Sequence, residues 1–573
     1  MSRVSSAVGD FARRGFDSPR TAAATWDRWR DRSGEEPPVT LADFEEAADR
    51  DRALDAVARI AELAPGLLSE VAANPSWLRR LVLVAGASTV LGQFLARHPE
   101  ELELLREERP TRGADAWRAF YGQRVEVVDD VAVGNSDDLR RAHHAALVEI
   151  AARDLSAPDP VGLVDAVALE LAHAADAVLH FGLAHARAEV PDWRDVRLAV
   201  VTMGKTGAQE LNYLSDVDVI HIAEPAEGES VEHAMQVGTQ LAAALARICS
   251  AHTSQGTIWQ VDAALRPEGK AGPLVRTIAS CRSYYDKWAK GWEFQALLKA
   301  RPAAGDLALG TEFCSMVAPM VWAAGERDGF VADVRAMRTR VVSMIPANQA
   351  DREIKLGEGG LRDTEFAVQL LQLVHGRTDE RLRVRGTIPA LQALVATGYI
   401  GRSDGAEMEQ SYRFQRVLEH RVQLRQLRRT HLLPDDELAM AHVARTLALG
   451  SDEVLKRWRS STRSVVRLQR RIFFSPLLEA VSSIPAEGLR LSTEAAQTRM
   501  RALGFSDPRA ALGHIQALTK GSSRRAEIQR QLLPVMLGWF AEDPNPDFGL
   551  LAFRQLYEKL GDTSWYLRAL RDD

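Results

Sequence analysis

The sequence predicts an α+β protein, predominantly helical, with one small mixed sheet set between helical regions. Three observations carry that expectation. Long stretches rich in Ala, Leu, Glu and Arg occupy both flanks. Two runs of strand length, Val196 to Val201 and Val217 to Ile222, lie on either side of a glycine-bracketed turn. A third run, Ile258 to Leu265, follows a segment of helix length. Strand, glycine turn, strand, helix, strand is the order of a small mixed sheet covered by helices.

Taken in order, residues 1–140 read as a bundle of amphipathic helices whose edges fall at Asn74-Pro75 and His98-Pro99, because proline cannot continue a helix and restricts the residue before it. Trp26 and Trp29 read as core aromatics, with Arg28 in solvent. The apolar segment Leu81 to Leu95 is interrupted by Gly86, Ser88, Gly92 and Gln93 and falls short of the ~20 residues needed to cross a bilayer, so it reads as a core helix. Residues 141–334 should hold the sheet. Within them a helix from Leu163 to Glu189 leads to the first strand, and a helix from Ser230 to Ala251 joins the second strand to the third. His143 and His144 are adjacent, and a helix splays them by about 100°, which makes them poor joint ligands for one metal. Tyr284, Trp288 and Trp292 recur at i, i+4 and read as an aromatic stripe buried by one helix. Residues 335–480 read as a helical domain with two arginine-laden helices, Arg413 to Arg429 and Lys456 to Arg471, whose apolar faces turn to the core and basic faces to solvent. Ser475 to Pro485 reads as a linker, and residues 481–573 as that linker and a further helical region.

The chain has 573 residues, enough for three or four domains. A net charge of −6 gives no overall attraction to nucleic acid, so anion binding must be local. Its three cysteines, Cys249, Cys281 and Cys314, lack metal-ligand spacing and read as reduced thiols of a cytoplasmic protein. Met1 to Arg30 contains no apolar core of a signal peptide, and no membrane partner is expected.

The chemistry gathers around Met203-Gly204-Lys205-Thr206-Gly207 and Leu214-Ser215-Asp216-Val217-Asp218. Side chains on a strand alternate, so Asp216 and Asp218 should project together. Two carboxylates on one surface repel unless a cation lies between them, and Mg²⁺ takes one or two carboxylates plus substrate phosphates. Asp262, on the third run, would complete a trio able to hold two metal ions for in-line displacement at phosphorus. Other phosphate motifs fail on spacing. A P-loop would need glycine where Ala199 stands, and a dinucleotide fingerprint would need glycine where Thr206 stands. Lys205, Arg266, Lys270, Lys299, Arg301 and Arg362 are candidate phosphate-binding cations, with Lys205 and Arg266 set beside the acids by their place in the motif.

Gly204, Gly207, Glu210, Leu211, Asn212, Ser215, Asp216 and Asp218 form the pattern G-x-x-G-x-x-E-L-N-x-x-S-D-x-D. It resembles the nucleotidyltransferase signature of the glutamine synthetase adenylyltransferase / adenylyl-removing enzyme family. Three further blocks resemble the same family: Val261-Asp262 with Leu265-Arg266-Pro267-Glu268-Gly269, Trp292 to Pro302, and Gly359 to Phe366. The resemblance implies a polymerase-β-like nucleotidyltransferase domain flanked by helical domains, with two Mg²⁺ ions at Asp216, Asp218 and Asp262. It further implies nucleotide or phosphate binding by Gly204, Lys205, Gly207, Ser215, Arg266 and Lys270. Asp262 is either a base or a ligand, and either Arg266 or Lys270 helps receive phosphate. One acid constellation is present, and by position it resembles the N-terminal half of the family, which implies removal of AMP from glutamine synthetase by phosphorolysis to ADP. Adenylyl transfer from ATP is the alternative direction. The implied partners are glutamine synthetase, ATP or ADP, inorganic phosphate and the PII signal protein. Two other classes compete: a uridylyltransferase acting on PII, whose His-Asp metal domain finds no counterpart because none of the 14 histidines precedes aspartate, and a non-catalytic module binding nucleotide, PII or glutamine synthetase.

Overall fold

The computed structural model describes residues 2–326, 337–338, 340–481, 491–521, 524–541, 543 and 545–559. They fall into two compact units. The first comprises 1–277, 301–310 and 416–458; the second comprises 278–300, 311–415 and 459–573. Each unit is therefore built from separate stretches of chain.

The first unit begins as a helical bundle with the edges that the prolines require. Asn74 accepts from the backbone N–H of Ser76 and Trp77 and starts the helix Pro75–Ala87, and the helix Thr89–Arg97 stops just before His98-Pro99. The apolar stretch expected as one core helix is thus two. The physical reason is Ser88, an extended residue that ends the first helix and caps the second by accepting from the N–H of Leu91. Both helices are buried, with Leu81, Val84, Leu91 and Leu95 fully covered. Trp29 is buried and Arg28 exposed, as the sequence reading expects. A short hairpin, β1 (Val127–Val128) and β2 (Val131–Ala132), precedes the helices Asp137–Ser156 and Pro160–Glu189.

The sheet has five strands: β3 (Val196–Thr202), β4 (Val217–Pro225), β5 (Val261–Asp262), β6 (Val275–Arg276) and β7 (Arg301–Gly305). β3 pairs antiparallel with β4 on one side and β7 on the other, while β5 and β6 share the far edge of β4 as parallel partners. The third strand is shorter than the run Ile258 to Leu265 implies: only Val261 and Asp262 join the ladder. One face, carrying Val196, Leu198, Val200, Val217, Val219 and Ala223, is continuous with the core of the helical bundle. The helix Val231–Ser250 lies against that face, and its Gly238 approaches Ala223, Val275 and Val196 so closely that a methyl there would touch all three. None of the described helices is long and apolar enough to cross a membrane.

The second unit is helical. Two expectations change there. Tyr284, Trp288 and Trp292 do not share one buried helix: Ile278–Lys287 and Gly291–Leu297 are separate helices, and Trp288, in the break between them, is 74% exposed. Glu293 causes the break by accepting from the N–H of Lys290 and starting the second helix anew. The expected linker at Ser475 is also helix, since Ser451–Val481 runs through it; the rest of that stretch, to Pro485, lies outside the described residues. The Gly359 block opens the helix Leu361–His375, where Gly359 at φ +71° leaves a Cβ position only 2.2 Å from the Thr462 carbonyl oxygen.

Candidate active site

Strand register places the acids. Asp218 is the Cα partner of Asp262 across the parallel β4–β5 pair, and Asp216 directly precedes β4, where the N–H of Val217 donates to the carbonyl of Gln260. Residues opposite one another in a parallel ladder put their side chains on the same face, here the face turned away from the helix Val231–Ser250. Asp262 also closes a small turn by accepting from the N–H of Ala264 at 2.8 Å through Oδ1.

The glycine turn is shaped by Asp218. Gly204 opens a one-turn helix, Gly204–Gly207, at φ +54°, and a Cβ on it would lie 2.3 Å from Asp218 Oδ2. The N–H of Met203 donates to the Asp218 carbonyl, so the end of β3 and the start of β4 hold the turn over the carboxylate.

A buried ion network fixes the segment after the turn. Lys205 Nζ donates to both carboxylate oxygens of Glu419, at 2.9 and 2.7 Å, and Arg416 donates to Glu419 at 2.6 Å. The Arg416 fork continues to Asn212 Oδ1 and to the carbonyls of Glu210 and Leu211. Tyr213 donates to Asp154, which also pairs with Arg421, and Gln423 accepts from the N–H of Leu214. Burial pushes the Glu419 carboxyl upward, but Lys205, Arg416 and His431 around it outweigh burial and hold it well below the usual carboxylate range. These contacts correct the reading of the arginine-laden segment Arg413 to Arg429. The helix there is Arg402–Leu424, and its Arg416 and Arg421 are buried pairing groups, not members of a solvated basic face. The one sequence signal that could have found the network is Glu419, an acid placed three residues after one arginine and two before another.

The predicted cations divide by what they hold. Arg266 spends its fork on the carbonyls of Ala263, Lys270, Gly272 and Pro273 and so pins the loop after Asp262, while Lys270 on that loop is exposed. Arg301 reaches Asp176 and the Thr206 carbonyl. Ser215 lies half-buried between Leu214 and Asp216. Missed by the sequence reading is Arg429, which forms an ion pair with Asp216.

The donor set suits a hard cation: three carboxylates, with a guanidinium already held by one of them. As they stand, the ligand atoms of the three do not all lie within 4.8 Å of one another. Two other groups among the described residues meet that criterion and could hold a cation: Asp17, Asp49 and His442, and Asp192, Asp195 and His233. In the first group Arg445 pairs with Asp17 and Arg52 with Asp49, so protein cations already balance its charge.

A mixed sheet presenting acids from parallel-paired strands beside a glycine turn, set among helical regions, is of the nucleotidyltransferase class of fold. Residues 78–316 match the glutamate-ammonia ligase adenylyltransferase family, and residues 335–473 match the GlnD PII-uridylyltransferase family. Over its whole length the chain is similar to members of the glutamine synthetase adenylyltransferase family. It is 52% identical, over 100% of its own length and 60% of the relative's, to a bifunctional glutamine synthetase adenylyltransferase/adenylyl-removing enzyme of Cutibacterium acnes. Proteins of the same name are 47% identical in Streptomyces avermitilis, covering 100% of this chain and 57% of that one, and 43% identical in Nocardia farcinica, covering 99% and 58%. The chain thus spans 57–60% of the length of these relatives.

Proposed function

We propose that this chain removes AMP from adenylylated glutamine synthetase. Inorganic phosphate attacks the phosphorus of the adenylyl-tyrosine, the bond from phosphorus to the tyrosine oxygen breaks, that oxygen takes up a proton, and ADP is released. The observation that supports this most is the pairing of Asp218 with Asp262 across β4 and β5, beneath the Gly204 turn, in a chain similar to this family. Resemblance to the N-terminal half of the family favours removal over addition. Phosphate is already an anion at neutral pH, so the attacking group needs no base, and the demand falls on positioning and on positive charge.

Asp216, Asp218 and Asp262 would hold two magnesium ions, which would neutralise charge and polarise the phosphoryl oxygens. Gly204 keeps the space over Asp218 open because it has no side chain. Glu419 and Arg416 fix the turn through Lys205 and Asn212. Arg266 holds the loop that carries Lys270, and the Lys270 ammonium receives the incoming phosphate. Gly207 and Ser215 complete the phosphoryl pocket.

The test measures ADP formed from phosphate and adenylylated synthetase, against pyrophosphate formed from ATP and unmodified synthetase, each with and without Mg²⁺. ADP formation that depends on Mg²⁺ and is lost in Asp216→Asn and Asp218→Asn supports removal. Pyrophosphate formation alone would reverse the assigned direction, and neither product would leave a binding module. A second reading concerns regulation: residues 335–473 match a family named for PII, which favours PII binding by this helical segment. A cytoplasmic setting, where all these partners occur, fits both readings.

A further inference from the structure

We propose that Arg429 is an exchangeable cation of the phosphoryl-transfer site, paired with Asp216 when the metal is absent and with a phosphoryl oxygen when metal and nucleotide are bound. The inference rests on the reading of Asp216, Asp218 and Asp262 as metal ligands. Both residues of the pair lie in the first unit.

Anchoring and mobility are divided between the backbone and side chain of this segment. The helix ends at Leu424, and Leu427, at φ 42°, turns the chain back. Gln423 then bridges the two segments, donating to the Thr430 carbonyl at 3.3 Å and accepting from the N–H of Leu214 at 3.2 Å. His431 lies 3.1 Å from the Glu419 carboxylate. The backbone on the C-terminal side of Arg429 is thus tied to the residue two before Asp216. The guanidinium itself is different: the Arg429 side chain is 62% exposed, against 16% for Asp216. A long side chain on a fixed backbone can swing between two partners within its reach.

The energetics allow the exchange. An ion pair with one partner largely in water is worth little, and a divalent ion displaces it at a loss of no more than about fivefold in metal affinity. Arginine's planar fork matches phosphoryl oxygens as well as it matches carboxylate. Lys205, Arg266 and Arg301 hold the partners described above, on Glu419, on the loop carbonyls and on Asp176. Arg429 instead touches a predicted metal ligand directly.

The exchange predicts opposite signs for two ligands. With the 573-residue chain, Mn²⁺ binding is measured by electron paramagnetic resonance without nucleotide, and ADP binding by calorimetry at saturating Mn²⁺. Arg429→Gln should bind Mn²⁺ about two- to fivefold more tightly and ADP at least about tenfold more weakly. A merely structural role would weaken both or neither, and every combination other than the opposed pair overturns the proposal. Asp216→Asn separates the two readings. If it weakens Mn²⁺ at least about tenfold while Arg429→Gln leaves Mn²⁺ unchanged, Arg429 alone loses its role. If Asp216→Asn leaves Mn²⁺ unchanged, the metal reading itself falls. Thermal melts of both variants check that the fold is retained.

Discussion

Gly204 has little room for change beside the acids. Its φ of +54° disfavours a side chain, and a Cβ would push against Asp218 Oδ2. Gly204→Ala should therefore lower turnover about 100-fold through a displaced carboxylate, while reducing stability by only about 1–2 kcal/mol. Steady-state kinetics with urea melts distinguish this from unfolding; a variant with wild-type turnover would show that Asp218 does not act at this turn. Asp218→Asn keeps the size of the side chain and removes its charge, and should lower activity by more than about 100-fold with stability little changed. That Asp218 and Asp262 sit on strands was legible in the sequence, because β-branched neighbours mark those runs without any tertiary knowledge. Arg429 was not. It lies 213 positions from its partner in a loop outside any helix, and no periodicity ties the two together.

At the scale of the element, the helix Arg402–Leu424 does work that its composition hides. An arginine-rich stretch with periodic apolar residues ordinarily means a solvated basic face, yet Arg416 and Arg421 are buried because Glu419 and Asp154 meet them. Strands β3 and β4 and the helices Pro160–Glu189 and Val231–Ser250 follow from local pattern, whereas the two-residue β6 and the returning β7 do not; the depth of a charged helix likewise depends on partners about 200 residues away. Removing the Glu419 charge should accordingly be severe. Glu419→Gln leaves Lys205 and Arg416 buried beside a neutral group and should cost about 3–5 kcal/mol in urea unfolding. The double variant Lys205→Met/Glu419→Leu should lose less than the sum of its two single changes, since each single change strands a charge that the pair removes together. Additive losses would mean that the two side chains are not coupled.

Across the whole molecule, the sequence suggests consecutive domains, whereas the first unit gathers 1–277 with 301–310 and 416–458. Composition cannot reveal such interleaving, because a returning strand and a returning helix look locally like any others. The return has a consequence for acid stability. His143, His144 and His221, from the N-terminal stretch, and His420, from the returning one, are all buried in this unit. Burial pushes them down, to about 3 for His143 and His420 and about 4 for His144 and His221. In the unfolded chain they take up protons below about pH 6.5, while the folded protein keeps them neutral until pH approaches 4. Stability should therefore fall as pH drops below 6.5, by up to about 1.4 kcal/mol per pH unit for each histidine. Glu419 adds a lower window with the same direction: its depressed carboxyl stabilises the fold above about pH 4.5, and that contribution is lost as pH falls further. Urea midpoints measured from pH 7.5 to 5 should show the first loss. His221 is the informative substitution, because neither of its ring nitrogens has a hydrogen-bond partner. His221→Leu should stay within about 1 kcal/mol of wild type at pH 7.5, yet lose about 1–2 kcal/mol less between pH 6.5 and 5. A wild-type midpoint that is flat over this range, or an equal slope in the variant, would mean that these imidazoles are protonated in the folded protein.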